Sequence, residues 1–199
     1  MSNLLAFDCS LWLASFAFSD GKKLLTKTLC NLDDTSYSLI NEISNHVQFE
    51  KSVDIIFNVG PGSFTGLRVN LAFALGFSSL KIHKFFCVNL LDLAHFLSKY
   101  LILKVGKNYY LFLEPNKNFR FLKGSEITSD FTSFLKKNCE DLFTLYCDFD
   151  QEFKGFKTLE NLSKLMLDAR SCWKECIPAK CSLFYGIDIS FREISSSLT

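Results

Sequence analysis

The sequence lacks an excess of charge of either sign. Its 199 residues include 22 lysines and arginines and 21 aspartates and glutamates, interspersed along the chain, for a formal net charge of +1. A protein that binds nucleic acid through its own electrostatic field carries a basic patch or stripe, and this sequence has no such run. Any contact with nucleic acid is therefore expected to be auxiliary.

Long apolar runs are missing as well. No uninterrupted apolar stretch reaches the roughly 18 residues expected of a transmembrane helix. Residues 4–7 and 11–18 are apolar, but Asp8 interrupts them and no basic residues precede them, which distinguishes them from a secretory signal. We therefore expect a cytoplasmic protein with no membrane contact. Its apolar fraction of 48% suffices for one domain with a large core or for two small lobes.

The eight cysteines lack the Cys-x-x-Cys spacing of a zinc knuckle or a redox pair. Cys172, Cys176 and Cys181 are the one cluster along the sequence. Reduced cysteines that fill a cytosolic core as small apolar residues are the favoured interpretation, and a metal site is the alternative. We predict neither a metal nor a cofactor, an expectation that stoichiometric zinc in the purified protein would overturn.

A glycine-punctuated turn is the most informative feature that is present. Gly60-Pro61-Gly62-Ser63-Phe64-Thr65-Gly66-Leu67-Arg68 follows a β-rich run, residues 53–57, and precedes an apolar helix predicted at 66–80. The glycines permit close backbone approach, and Ser63 and Thr65 can cap the first amide groups of the helix. A nucleotide-binding P-loop ends in Gly-Lys-Ser/Thr, which is absent here, and Arg68 is the one positive charge within reach. The loop resembles a phosphate loop without its chemistry.

This run resembles the signature of the TsaB family, also called YeaZ. The resemblance extends to Leu4-Leu5-Ala6-Phe7-Asp8-Cys9-Ser10, which is similar to the family's opening strand ending in Asp-Thr-Ser or Asp-Thr-Ala, and it covers about the first half of the chain. It implies a non-catalytic subunit of actin-like fold that dimerises with the enzyme TsaD. That enzyme belongs to the cytoplasmic machinery that places threonylcarbamoyl on the adenosine next to the tRNA anticodon.

The hydrophobic pattern of the first half fits one lobe of such a fold. It predicts strands at 4–7, 11–18 and 23–29, a helix with apolar residues at 39, 40, 43 and 47, and a strand at 53–57. Asp20-Gly21 is read as the turn between the second and third strands. A β-β-β-α-β-α order is that of one lobe of the actin-like ATPases, and other mixed α/β folds stay open.

The second half carries weaker signals. Patterns predict a helix that starts at 87–90 and runs to about 100, strands at 109–113, 119–122 and 142–147, helices at 131–135 and from 159 to near 173, and closing segments at 183–185 and 187–194. The family's Asp-Ala-Arg is missing at 104–109, and its Pro-x-Tyr-x-Arg is matched only loosely at 188–192. We predict an α/β protein with the two-lobed actin-like ATPase (ASKHA, ribonuclease H-like) fold. The first lobe spans 1–103 and a reduced second lobe spans 104–199, and the return of the C-terminal segment to the first lobe stays open.

The helix at 66–80 has almost no polar face, which indicates that it is covered on two sides. Ala72 and Gly76 lie four residues apart on one ridge, and their small size would let a second helix approach closely. The family pairs with TsaD through the first two helices of this lobe, so the resemblance favours a partner interface over burial beneath the second lobe. The predicted interface residues are Leu39, Ile43, Val47, Leu71, Ala72, Leu75, Gly76 and Ser79.

No active site is visible in the sequence. Asp8-Cys9-Ser10 has no neighbouring glycine, so a nucleotide site at Asp8 and Ser10 would be vestigial, and a loop-capping role for Asp8 is favoured. Neither Ser10 nor Ser63 has a histidine base in a recognisable motif, and the three histidines have no evident catalytic companion.

We therefore expect a scaffold subunit, not an enzyme, that binds a TsaD-like catalytic subunit as a heterodimer and contacts tRNA only through that complex. The alternative is a weak nucleotide-binding or nucleotide-hydrolysing protein that uses the same loop. The sequence leaves open whether the isolated chain forms a homodimer, whether a TsaE-like ATPase joins the complex, and which tRNAs are modified.

Overall fold

The computed structural model describes residues 3–29, 35–49, 52–78, 80, 82–138, 142–145, 157–159 and 161–185. These residues form two β-sheets with helices packed on them. The elements are β1 (Asn3–Asp8), β2 (Ala14–Ser19), β3 (Leu24–Leu29), α1 (Thr35–His46), β4 (Val53–Gly60), α2 (Phe64–Phe77), β5 (Ile82–Asn89), α3 (Leu90–Leu97), β6 (Tyr100–Gly106), β7 (Tyr109–Leu113), β8 (Phe119–Lys123), α4 (Ser129–Asn138), β9 (Leu142–Leu145), β10 (Lys157–Leu159), α5 (Leu162–Asp168) and β11 (Lys174–Glu175).

The first sheet has the strand order β11-β5-β4-β1-β2-β3. β1, β2 and β3 form an antiparallel meander, and β4 and β5 lie parallel to β1. The predicted turn between β2 and β3 is confirmed, because Asp20 Oδ1 accepts hydrogen bonds from the backbone N–H groups of Lys22 and Lys23 (2.8 and 2.7 Å). This side-chain turn stands in for a backbone turn, as aspartate favours.

The second sheet repeats this arrangement. Its strand order is β10-β9-β6-β7-β8. β6, β7 and β8 form an antiparallel meander, and β9 and β10 continue parallel to β6. The chain thus builds the same topology twice, first with β1 and then with β6 as the central strand.

Both faces of the first sheet are covered by core residues. Successive side chains of a strand point to opposite sides, so alternate residues of one strand enter different clusters. Leu5 and Phe7 of β1 are buried among residues of α1 and α2, whereas Leu4 and Ala6 are buried among residues of α3 and α5. The second sheet packs one face on that same α3 and α5 cluster and the other on α4. This layered packing explains why β1 and β4 are apolar on both faces.

Residues 161–185 lie on the first sheet, although they follow the second one in sequence. The hydroxyls of Ser163 and Ser15 are hydrogen-bonded at 2.8 Å, which ties α5 to β2. β11 pairs with β5, and Phe184 N–H donates to Val59 O at 2.8 Å. The predicted lobe boundary at 103/104 falls inside β6, and how the chain divides into lobes stays a prediction.

Several predicted bounds are wrong for local reasons. β5 and β11 were not predicted, and the helix predicted from 159 to near 173 spans Leu162–Asp168. The helix predicted to end near residue 100 ends at Leu97, because Ser98 adopts a left-handed conformation (φ 54°) and Tyr100 begins β6. β2 begins at Ala14 rather than at residue 11. The preceding segment is bonded to β6 instead, because Trp12 N–H donates to Lys104 O at 2.8 Å. The closing segment predicted at 187–194 lies outside the described residues.

Candidate functional site

The glycine-rich loop joins β4 to α2 and packs tightly on the connection that follows β1. A Cβ atom at Gly66 would lie 2.0 Å from the backbone oxygen of Cys9, and one at Gly62 would lie 2.7 Å from Ser10 Cβ. Atoms this close overlap, so both positions require glycine. The glycines therefore serve the approach of two backbone segments.

Three backbone amides of this loop are hydrogen-bonded within the protein. Ser63 N–H donates to Ser10 O (2.8 Å), Gly60 N–H to Asn58 Oδ1 (2.8 Å) and Gly66 N–H to Ser63 Oγ (3.2 Å). Ser63 is thus the N-cap of α2, as predicted, and the helix begins at Phe64. A phosphate loop presents such amides to its ligand, whereas these three already have acceptors.

Arg68 does not extend freely into solvent. Its guanidinium carbon lies 3.8 Å from the centroid of the Phe64 ring, which in turn packs on Tyr185 with ring centroids 4.8 Å apart. This stacking holds the one cation of the loop against an aromatic face. Of the predicted loop residues, Gly60, Pro61, Gly62 and Gly66 are buried, Ser63 and Phe64 are half-buried, and Thr65 and Arg68 are exposed.

A buried polar cluster lies beneath the loop, centred on the carboxylate of Asp8 at the end of β1. Oδ1 accepts hydrogen bonds from the Ser10 hydroxyl (2.7 Å), the Asn70 amide (3.0 Å) and the Asn58 amide (3.2 Å). Oδ2 accepts one from the Ser10 backbone N–H (3.1 Å). All four residues are fully buried. The last of these bonds is the loop-capping role that the sequence favoured for Asp8.

Asn70 connects the cluster to the helix. Its Oδ1 accepts from Cys9 N–H (2.8 Å), and its amide donates to Asp8 and to the backbone oxygen of Asn58 (3.1 Å). One side chain therefore fastens α2 to the ends of β1 and β4. Asn58 and Asn70 were not predicted as site residues, although an amide in an apolar strand and another in a helix with almost no polar face were the available signals.

Burial sets the electrostatics of the cluster. Removal from water raises the pKa of Asp8, and the hydrogen bonds from Ser10, Asn70 and Asn58 offset this only in part. Neither Asp8 nor Ser10, the two residues of the predicted vestigial nucleotide site, is accessible to solvent. As packed here, the cluster positions the loop and cannot contact a ligand.

The helix α2 has one face in the core and one face in solvent. Leu67, Asn70, Ala74 and Phe77 are buried. Ala72, Leu75 and Gly76 are exposed, with Leu75 at 41%, and a Cβ atom at Gly76 would meet nothing within 4 Å. We call Ala72, Leu75 and Gly76 the α2 stripe. Leu71 is half-buried beside it, and Ser79 lies outside the described residues.

The prediction that the apolar face of α1 belongs to an interface needs correction. Leu39 and Ile43 are fully buried and Val47 is 4% exposed, all in the core between α1, α2 and the first sheet. Their helical spacing is explained by packing on the chain's own sheet. In this packing, these three side chains cannot contact a partner.

The loop also borders an apolar cavity of about 380 Å³ that faces the second sheet. Asp8, Ser10 and Arg68 do not line it. Its lining residues are Gly62, Ser63, Phe64, Val105, Gly106, Tyr109, Phe121, Leu122, Lys123, Glu126 and Tyr185. The cavity lacks the carboxylates and cations that would hold a nucleotide triphosphate with its metal ion, apart from one lysine and one glutamate.

Three cysteines converge at the edge of the first sheet. The Sγ atoms of Cys87, Cys176 and Cys181 all lie within 4.8 Å of one another. The hydrogen bond from Cys176 lowers the pKa of Cys87 to about 7, and burial raises that of Cys181. Cys172, which the sequence grouped with the last two, is not a member: its thiol donates to the backbone oxygen of Asp92 (3.5 Å). Cys87 was missed because it is distant in sequence.

Comparison with solved structures identifies the fold. A crystal structure described as an uncharacterized protein with similarity to peptidase YeaZ from Pseudomonas aeruginosa aligns over 93% of this chain and 99% of its own, with 16% identity and a TM-score of 0.50. The chain has a YeaZ-like fold. YeaZ from Pseudomonas aeruginosa itself aligns over 61% of this chain with 18% identity and a TM-score of 0.45, and the alignment spans 65% of that protein.

Comparison of the sequence alone does not assign the chain to a family. No family model matches the chain, and no curated protein matches it. Within the part of the chain that the structure describes, none of the helices has the length and apolar character needed to cross a membrane.

Proposed function

We propose that this protein is the TsaB-like dimerisation subunit of a tRNA threonylcarbamoyladenosine synthesis complex and that it binds a TsaD-like catalytic subunit. The observation that carries the proposal is the α2 stripe, an exposed apolar surface on a helix whose opposite face is fixed in the core. The YeaZ-like fold and the Gly60–Arg68 run support it, because in the TsaB family this helix lies at the TsaD contact.

The α2 stripe has the shape that helix packing needs. Ala72 and Gly76 are small residues four apart on one ridge, and Leu75 beside them offers an exposed apolar side chain. Small residues let a second helix approach closely, while leucine supplies area to bury. We propose that one helix of the TsaD-like subunit packs along this ridge.

The stripe is held rigidly from within. Ser63 fixes where α2 begins, and Asn70 fastens the helix to β1 and β4. A surface that is already ordered loses less conformational entropy on binding than a mobile one. The buried cluster thus supports binding, although it touches no partner itself.

The surroundings of the polar groups support the proposal of a non-catalytic role. The amides of Gly60, Ser63 and Gly66 have acceptors within the protein, Asp8 is buried, and Arg68 stacks on Phe64. We propose that the subunit acts on the populations of TsaD conformations, by binding one conformation better than others. The tRNA would be contacted through the complex. The alternative of a nucleotide-binding protein is not favoured by these inward-facing groups.

We further propose that the fold is the two-lobed actin-like (ASKHA) one. The support is internal: both sheets have an antiparallel meander followed by two parallel strands, with a helix after the third strand of each. The second sheet, with five described strands against six in the first, would then be the reduced lobe.

Co-purification with the TsaD-like protein from the same genome tests the interface. Ala72→Trp and Gly76→Trp place a large side chain on the α2 stripe without entering the core, and we expect each to weaken binding by more than about 30-fold. Ser133→Trp changes another exposed small residue, on α4; it is the matched control and should bind as the wild type does. Unchanged binding by both stripe variants would refute the proposed interface.

A further inference from the structure

We propose that Cys87, Cys176 and Cys181 form a binding site for one Zn²⁺ ion. The proposal stands on the geometry of these cysteines and does not depend on the partner interface. It replaces the sequence-based expectation of no metal.

The three thiols are brought together by backbone pairing. Cys87 lies on β5 opposite Lys174 of β11, and Cys176 N–H donates to Phe85 O at 2.9 Å. The turn Pro178–Lys180 then reverses the chain, and Cys181 N–H closes it on Pro178 O at 3.1 Å. Because backbone hydrogen bonds fix all three positions, the thiols are held close before any ion arrives.

The distances suit a thiolate metal site. Zn²⁺–S bonds of about 2.3 Å separate the sulfur atoms of a tetrahedral site by about 3.8 Å. The three Sγ atoms here are within 4.8 Å of one another and belong to free thiols. Small rotations of the cysteine side chains would bring the sulfur atoms to the separation of a tetrahedral zinc site. Cys176 and Cys181 also have four residues between them, which is within the spacing common for a pair of zinc ligands.

The fourth coordination position faces solvent. The three cysteines are half-buried and border a cleft of about 510 Å³ that Glu175, Ile177, Lys180 and Ser182 also line. Glu175 is engaged by Lys84 at 2.7 Å, so water is the expected fourth ligand. Lys180 places a positive charge beside a site whose three thiolates and one Zn²⁺ carry a net charge of −1.

Binding exchanges protons for the ion. The Cys87 thiol donates to Lys174 O (3.5 Å) and the Cys181 thiol to Ile177 O (3.6 Å). Starting from the fully protonated site, three S–H bonds break, three Zn–S bonds form, and three protons pass to solvent, with no oxidation of sulfur.

The ion would fasten the segment that supports the glycine-rich loop. Cys176 and Cys181 precede Phe184 and Tyr185, which contact Val59 and Phe64 respectively. A link from this segment to β5 therefore stabilises the packing on the loop. Since the unfolded chain lacks the site, Zn²⁺ is expected to raise the melting temperature.

The first test is metal binding by the full-length wild type, purified under reducing conditions and freed of metal with a chelator. Titration with Co²⁺ is expected to give the sulfur-to-metal charge-transfer band and the visible bands of tetrahedral thiolate coordination, saturating at one ion per chain. Zn²⁺ should displace the Co²⁺ and raise the melting temperature. A titration without these bands would overturn the proposal.

The second test uses serine variants with a matched control. We expect a large loss of Zn²⁺ affinity in each of the variants Cys87→Ser, Cys176→Ser and Cys181→Ser. Loss of a residue that only hydrogen-bonds to a metal ligand costs roughly 10- to 100-fold in affinity, so loss of a ligand itself should cost at least that much. Cys172→Ser changes a cysteine of the same segment that is not in the cluster, and it should bind as the wild type does. Equal loss in the control would overturn the assignment.

A third measurement needs no variant and so is independent of folding defects. In the wild type, Zn²⁺ should protect Cys87, Cys176 and Cys181 from alkylation and leave the reactivity of the other five cysteines unchanged, as read by peptide mass spectrometry. Protection of a different set, or a disulfide among these three in the reduced preparation, would refute the site.

Discussion

Apart from the added edge strand β11 of the first sheet, the two sheets share one strand order, but they differ at the end of their central strands. In the first sheet, β1 ends in the buried Asp8 cluster, and residues 9–13 receive the glycine-rich loop. In the second sheet, residues 107–108 connect β6 to β7 directly. Among the described residues, the buried polar ones all lie in the first sheet or in the elements packed on it: Asp8, Ser10, Ser15, Asp54, Asn58, Asn70, Asn161 and Ser163.

This difference shows that the topology itself needs no polar cluster. The second sheet packs through apolar residues such as Ile102, Phe112 and Leu135, which sit between its strands and α4. The cluster in the first sheet must therefore serve the loop and α2, which have no described counterpart in the second. We conclude that the buried polar cluster of the first sheet fixes the position of one helix, the helix that carries the α2 stripe.

The largest effect is expected from Gly66→Ala, which should displace the glycine-rich loop and so disrupt the feature that distinguishes the first sheet from the second. The new methyl group would lie 2.0 Å from a backbone oxygen, so the free energy of unfolding should fall by more than about 4 kcal/mol. Gly106→Ala is the matched change in the second sheet, where the nearest atom lies 3.7 Å away, and its effect should stay within about 0.5 kcal/mol. Similar values in urea denaturation would contradict the comparison.

Asn70→Leu should have the next largest effect. The change keeps the size of the side chain but leaves Cys9 N–H and Asn58 O without their side-chain partner and removes one donor from Asp8. We expect a loss of about 3 kcal/mol of stability. Asn45→Leu, at an exposed site on α1, is the control and should change the free energy of unfolding by less than about 0.5 kcal/mol. Equal stability of the two variants would show that the Asn70 contacts are dispensable.

Asp8→Asn should have a smaller effect that depends on pH. Its amide would place a donor against the Ser10 N–H, which costs about 1–2 kcal/mol. Because burial raises the pKa of Asp8 above 3.8, its contribution to wild-type stability is fully present below about pH 3.8 and is lost as pH rises through the folded-state pKa. The stability difference, wild type minus variant, should therefore fall with rising pH above that value. A difference that rises with pH would mean that the hydrogen bonds outweigh burial.

The sequence predicted the first four strands of the first sheet because their signals are local, and it missed β5 and β11. The meander, the turn at Asp20 and the cap at Ser63 each depend on residues within a few positions of one another. The α2 stripe was predicted for the same reason, since Ala72 and Gly76 are one helical turn apart. Other predictions failed where distant segments decide the outcome.

The sequence did not predict which apolar helix faces are buried in the core or which distant residues come together in the fold. Leu39, Ile43 and Val47 have the spacing of an apolar helix face, but spacing does not tell a core face from an interface face. Cys87 joins Cys176 and Cys181 only because β11 pairs with β5. Asn70 and Asp8 are 62 residues apart, and their contact depends on the parallel pairing of β1 with β4.

Light scattering coupled to size-exclusion chromatography tests the central claim most directly. The protein would be run alone and mixed with the TsaD-like subunit from the same genome, with Ala72→Trp and Ser133→Trp run in parallel. At a loading concentration a few times the wild-type dissociation constant, the account predicts a one-to-one heterodimer for the wild type and for Ser133→Trp, and separate subunits for Ala72→Trp, whose binding is expected to be more than about 30-fold weaker. A wild-type protein that stays separate from the TsaD-like subunit, or an Ala72→Trp variant that still joins it, would contradict the claim that the α2 stripe binds this partner.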